Sequence, residues 1–207
     1  MNKKLVIFDF DGVLVNTSEI GYTLHSAANP NLNREYFANL SHGNFMENLE
    51  KAIADDDYKV QEDWEDLYHG ELLKLDSHDV IRGLIFDLAT KYQLAVVSSS
   101  QSYHIEAFLE REGVRQHFSD ILGSDVAYSK VTKISDLLKK YKVRPDDAVF
   151  VTDTLGDIRE GTACSVASIG VTWGTHDRDT LFEGAPYAIV DTVPLLESAI
   201  EEVLANS

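Results

Sequence analysis

Asp9 and Asp11 stand two positions apart at the end of the apolar run Leu5-Val6-Ile7-Phe8, and Gly12 follows them. Side chains alternate along an extended backbone, so these two carboxylates point the same way, roughly 7 Å apart. Anions that close repel each other, and a bound divalent cation or a raised pKa on one of them relieves the repulsion. Asp-x-Asp-Gly after a strand is also an ordinary solvated turn, so its weight depends on what else the chain brings to it. Ser98 ends a second apolar run, Asp153 and Asp157 follow a later one, and Lys130 lies ahead of the helix before that run. Three or four carboxylates with water suit magnesium. A hydroxyl opening a helix, with the backbone N–H groups of Ser98 to Gln101 behind it, suits a phosphate. A lysine adds the positive charge that such a site needs. Together these parts fit phosphoryl transfer, where positioning and charge neutralisation do most of the work. Singly, each has a duller reading: Ser98 as a helix cap, Lys130 as a surface charge, Asp153 as a turn residue.

These residues converge only if the elements before them lie in one parallel sheet. Leu5 to Phe8 reads as a strand buried on both faces. Further strands are expected at 94–97, 120–123, 148–151, 166–171 and 188–190, with helices at 80–92, 103–112, 132–141 and 158–163 and a last helix opened by Pro194. Alternating strands and helices imply an α/β fold, a doubly wound, Rossmann-like parallel sheet with all strand carboxyl ends on one edge. Between the first two strands, the sequence shows leucines and aromatics at helical spacing, broken at Asn29-Pro30-Asn31 and Ser41-His42-Gly43-Asn44. Asn16-Thr17-Ser18-Glu19 looks like a helix start with capping side chains. The expected organisation is a core of residues 1–15 and 78–207 with a small helical cap over 16–77, hinged near Val15–Asn16 and Ser77–His78.

Acidic residues outnumber basic ones 35 to 18, for a formal charge of -17, and no long basic run interrupts them. That field disfavours nucleic acid and anionic membrane as partners. It also repels an anionic substrate, so a phosphate site requires local cations. The one cysteine, Cys164, sits among small residues, excludes an intramolecular disulfide and fits a reducing compartment. The amino-terminal apolar run is too short for a signal peptide, and no stretch approaches the roughly 20 residues of a membrane helix. A cytoplasmic monomer or homodimer is expected.

In these motifs the sequence resembles the haloacid dehalogenase superfamily, in its phosphatase branch with a helical cap after the first strand, and is phosphoglycolate-phosphatase-like. Asp9-Phe10-Asp11-Gly12-Val13 is similar to that family's first motif and Ser98 to its second-motif hydroxyl. Lys130 resembles the third-motif lysine, and Val151-Thr152-Asp153 with Asp157 the acidic fourth motif. The resemblance implies Asp9 as nucleophile, forming an aspartyl-phosphate, and Asp11 as general acid and base. Ser98, Ser99 and Lys130 would hold the phosphoryl oxygens, Ser99 standing where the family more often has Asn. Magnesium would be held by Asp9, Asp153 and the main-chain carbonyl of Asp11, with Asp157 ligating it or orienting its waters. Lys133, three residues past Lys130, competes for the lysine role.

Substrate choice would lie in the cap, at the loop His42, Gly43, Asn44 and Phe45, where His42 or Asn44 could bind a polar leaving group or cap a helix. The function implied is a magnesium-dependent hydrolase acting on a small phosphorylated metabolite. A phosphomutase would need a cap gripping a second phosphate, for which Arg34, Lys51 and Lys59 are few. The intact acid, hydroxyl and lysine set argues against a decayed binding module, while protein phosphotyrosine is a further substrate class.

Overall fold

In the computed structural model, which describes residues 3–55, 58–75 and 79–205, six strands form one parallel sheet. They are β1 (Leu5–Phe8), β2 (Gln93–Val97), β3 (Phe118–Leu122), β4 (Ala148–Thr152), β5 (Ala167–Val171) and β6 (Ala188–Val190), in spatial order β3-β2-β1-β4-β5-β6. β1 is central because it is apolar at all four positions and can be buried on both faces. Its alternation divides the core. Val6 and Phe8 join one apolar cluster with Leu88, Ile105 and Ile200, while Leu5 and Ile7 join another with Ile134 and Leu137. Phe8 is in register with Val96 of β2 and Val151 of β4, so the residues after all three strands share one edge. The strand order reverses between β1 and β4, the crevice where open α/β sheets bind ligands.

The core helices are α5 (Asp79–Lys91), α6 (Ser102–Arg111), α7 (Lys130–Tyr141), α8 (Leu155–Ala163), α9 (Arg178–Phe182) and α10 (Val193–Ala205). Three boundaries differ from the sequence reading by two residues or more. β3 begins at Phe118, which pairs with Leu94 and meets the Phe8 ring edge-on at 6.3 Å. α8 begins at Leu155, because the Thr154 hydroxyl caps Asp157 N–H at 3.4 Å. α7 begins at Lys130 itself, placing that lysine in the helix's first turn.

Between β1 and α5 the described residues contain α1 (Ser18–Ala28), α2 (Arg34–Asn39), α3 (Phe45–Ala54) and α4 (Trp64–Leu72), with a 3-10 turn at Leu40–His42. The first proposed hinge, at Val15–Asn16, precedes α1; the second, at Ser77–His78, lies outside the described residues. Thr17 departs from the expected cap. It stands at the N-cap of α1, but its hydroxyl donates to Asp11 Oδ1 at 2.7 Å and accepts no bond from the helix's N–H groups.

Polar contacts hold these helices against the carboxyl edge of the sheet. Asn44 Nδ2 donates to Tyr128 O and to Glu160 Oε1, both at 3.2 Å, and Arg159 donates to His42 O at 2.8 Å. Glu65 accepts from Gln101 Nε2 and meets His104 Nε2, both at 2.6 Å. His176 Nδ1 accepts from Leu155 N–H, which leaves Nε2–H to donate to Ala38 O at 3.1 Å. Gly156 permits the closest approach, since a Cβ there would lie 2.0 Å from Gly43 O.

Inside the cap, His25 is buried among the rings of Phe37, Phe45, Tyr58 and Trp64, with no partner for Nδ1. Burial lowers its pKa to about 4. The unfolded chain, titrating near 6.5, therefore binds a proton that the folded chain refuses between those values. Stability is full above pH 6.5 and falls as pH drops towards 4, by an amount of the order of 3 kcal/mol. Thermal melts followed by tryptophan fluorescence should show His25→Phe flattening that part of the pH profile. An unchanged slope would contradict this account of the cap interior.

Candidate active site

Asp9 follows β1 directly, its N–H bonded to Val151 O of β4 at 2.8 Å. Its side chain is buried, with Oδ1 accepting from Phe10 N–H at 2.7 Å and Oδ2 2.8 Å from Lys130 Nζ. The same ammonium lies 2.6 Å from Asp157 Oδ2, which also accepts from the Thr152 hydroxyl at 2.7 Å. Lys130 thus joins the ends of β1 and β4 from the first turn of α7. That turn is fixed by Glu160, whose Oε1 accepts from Lys130 N–H at 2.9 Å.

Asp153, the residue after β4, has Oδ2 bonded to Thr175 N–H at 2.6 Å, while its buried Oδ1 has no partner. Space for this carboxylate requires glycine on both sides. A Cβ would lie 2.0 Å from Asp153 Oδ2 if placed on Gly12, whose φ is +73°, and 2.2 Å if placed on Gly174.

One buried ammonium thus faces three buried carboxylates. Burial, with Asp157 and Asp153 nearby, raises the Asp9 pKa well above the usual range despite Lys130. Burial likewise lifts Asp153 to about 6. At Asp157 burial is outweighed by Lys130 and by hydrogen bonds from its neighbours, so its pKa is lowered. Lys130 stays charged, the two acids overcoming its own burial. Among the described residues no three His, Cys, Asp or Glu side chains make a ready cage for a metal. Magnesium needs less, one or two carboxylates with carbonyl and water completing its shell. Asp9 and Asp153 fit that need, because uncompensated negative charge surrounds an orphaned carboxylate oxygen.

Asp11 occupies a different environment two residues away. Thr17 and Tyr68 hydroxyls donate to its Oδ1, and Ser98 (3.2 Å) and Ser100 (2.7 Å) donate to its Oδ2. Tyr68 remains a phenol, since burial and the adjacent Asp11 push its pKa well up. The cap helix α4 therefore touches the acid pair through one hydroxyl. Tyr68→Phe is expected to lower kcat about tenfold, the scale of one lost hydrogen bond, with the fold retained. Steady-state kinetics on any turned-over substrate would check this, and an unchanged kcat would deny Tyr68 a part in positioning Asp11.

Of the other residues singled out in the sequence, Ser99 lines the cavity above the acids without a bond to them. Lys133 turns away: its Nζ donates to Ser98 O at 2.6 Å and Gly123 O at 3.3 Å, and burial, reinforced by Lys130, lowers its pKa to about 8. In the cap loop, Gly43 and Phe45 line the cavity. Asn44 caps α3 by accepting from Glu47 N–H at 3.1 Å, and the His42 ring packs 5.0 Å from that of His176. The residues that sequence reasoning missed are Thr17, Tyr68 and Ser100. Trp64 and Tyr68, four apart on α4 and stacked at 4.9 Å, were the available signal for one of them.

The family model for haloacid dehalogenase-like hydrolases matches residues 6–171, and the chain belongs to that family. It is 29% identical over 111 residues to a phosphoglycolate phosphatase of Synechococcus elongatus, covering 54% of this chain and 52% of the relative. It is 34% identical over 131 residues to a Dickeya dadantii protein bearing the name "Probable phosphatase IndB", covering 62% and 57% respectively. The matches to these two thus span little more than half of each relative's length. A haloacid dehalogenase-like hydrolase structure from Streptococcus pneumoniae superposes with a TM-score of 0.77 at 18% identity, covering 95% of this chain and 97% of that one; it shares the fold.

Proposed function

We propose that the protein is a magnesium-dependent phosphatase of small phosphomonoesters that works through an aspartyl-phosphate on Asp9. The observation that carries this reading is the pair of carboxylates two residues apart in opposite settings, Asp9 against Lys130 and Asp11 against four hydroxyls. In the first step an Asp9 carboxylate oxygen attacks phosphorus, a P–O bond to Asp9 forms, and the bond to the leaving alkoxide breaks. Asp11, entering this step protonated, gives its proton to that alkoxide and is left as a carboxylate. In the second step Asp11 takes the proton back from a water that attacks phosphorus, and Asp9 is released with inorganic phosphate. Lys130 holds a phosphoryl oxygen, and Ser98 and Ser99 stand at the same rim. Asp9, Asp153 and the Asp11 carbonyl would hold magnesium, with Asp157 beside them. The ion supplies neutralisation of the phosphoryl charge. The cap, once closed, excludes water other than the attacking one.

Support comes from the family, from relatives bearing phosphatase names, and from the charge balance at Asp153. Among the described residues no helix is long and apolar enough to cross a membrane. Purified protein should release phosphate from an aryl phosphate with magnesium, and chelation should reduce the rate by roughly two to three orders of magnitude. Unchanged turnover in excess chelator would overturn the metal dependence. Absence of phosphate release from every ester would overturn the reading as a whole.

A further inference from the structure

The cavity of about 420 Å³ that begins at Asp9 and Asp11 continues into the cap, where its wall changes character. Phe37, Phe45, Met46, Leu49, Ile53 and Trp64 line that end. Among the described lining residues Lys130 is the only lysine or arginine, and it is already engaged by Asp9 and Asp157. The cap segment 16–77 holds thirteen acidic residues against four basic ones. Of those four, Arg34 and Lys74 pair with exposed Glu19 and Glu71, and neither Lys51 nor Lys59 reaches the cavity. The charged groups that do reach the cap wall are the carboxylates Glu50 and Glu65. An anionic leaving group, whether a carboxylate or a second phosphate, would be desolvated there opposite like charge and without a cation.

We propose that the substrates are phosphomonoesters of uncharged, apolar alcohols, with the ring or alkyl chain lodged between α3 and α4. The inference rests on the phosphatase reading and narrows it. One phosphoryl group sits on the acids at the sheet edge, and the remaining volume suits a leaving group about the size of one ring. The loop at His42 and Asn44 contributes little to selection, its polar groups being directed to α3 and the core.

The test compares esters whose leaving groups are all alkoxides. Benzyl and butyl phosphate should exceed glycerol phosphate and phosphoglycolate in kcat/KM by about 100-fold, the scale of discrimination that a hydrophobic wall supplies. Ile53 lines the cavity and is 43% exposed, so a charge there should not unfold the chain. Ile53→Lys should lower kcat/KM for benzyl phosphate about tenfold and raise it for phosphoglycolate. Benzylphosphonate should likewise quench tryptophan fluorescence at lower concentration than phosphonoacetate. Preference for phosphoglycolate or a bisphosphate, or equal effects of Ile53→Lys on both substrate types, would overturn the inference and leave the phosphatase reading standing. No release from any ester, aryl phosphates included, would overturn both.

Discussion

Asp9→Asn should lose at least about 10⁴-fold in turnover, since the oxygen proposed to attack phosphorus is replaced by a neutral amide. The same substitution should leave the fold intact or stabilise it slightly. Asp9, Asp153 and Asp157 are all buried about a single ammonium, and burial already pushes Asp9 towards its neutral form, so a neutral amide there suits the cluster. Phosphate release and a thermal melt on the same sample separate the two effects. Near-normal turnover would eliminate covalent catalysis by Asp9. A large fall in Tm would show that its charge serves the fold, contrary to the balance described.

Lys130→Met should do the opposite to stability. It leaves Asp9 and Asp157 facing each other in the buried edge with no compensating charge, an arrangement that costs about 3–5 kcal/mol when one partner of a buried pair is removed. For a chain of this size that corresponds to a fall of roughly 10 °C in Tm. Turnover should fall with it. Lys133→Met is the informative control, because Lys133 Nζ meets two backbone carbonyls and no carboxylate within ion-pair distance. It should weaken the Ser98 loop without abolishing turnover. Equal losses of activity in the two variants, measured below both melting temperatures, would transfer the phosphate-holding role to Lys133.

The sheet and its polar edge were legible because strands buried on both faces read as short apolar runs, three of which lead into Asp9, Ser98 and Asp153. Leu5 to Phe8 and Ala148 to Val151 leave little freedom, and Asp9 and Asp153 follow from them. The ambiguity between Lys130 and Lys133 arose because a helix start could not be placed to within one turn. The structure begins α7 at Lys130, so the two ammonium groups point to different neighbours. The hydroxyls of Thr17, Tyr68 and Ser100 around Asp11 were not legible. Tyr68 is 57 residues away on a cap helix, and its spacing from Trp64 marks a helix face without saying that the face meets Asp11. Thr17 looked like a helix cap because Thr is a good one, yet a nearby carboxylate competes successfully for its hydroxyl. The apolar cavity wall was hidden for a similar reason. Leucines and aromatics at helical spacing read as core whether they face one another or a substrate.

The central claim is a covalent phosphoryl group on Asp9, and single-turnover quenching tests it most directly. Protein in excess over a radiolabelled ester should be stopped with acid during the turnover and digested. The label is expected on the peptide carrying Asp9, appearing and decaying on the timescale of phosphate release, and missing from Asp9→Asn. Phosphate released at full rate with no labelled peptide at any time point, or label on another residue, would contradict the account.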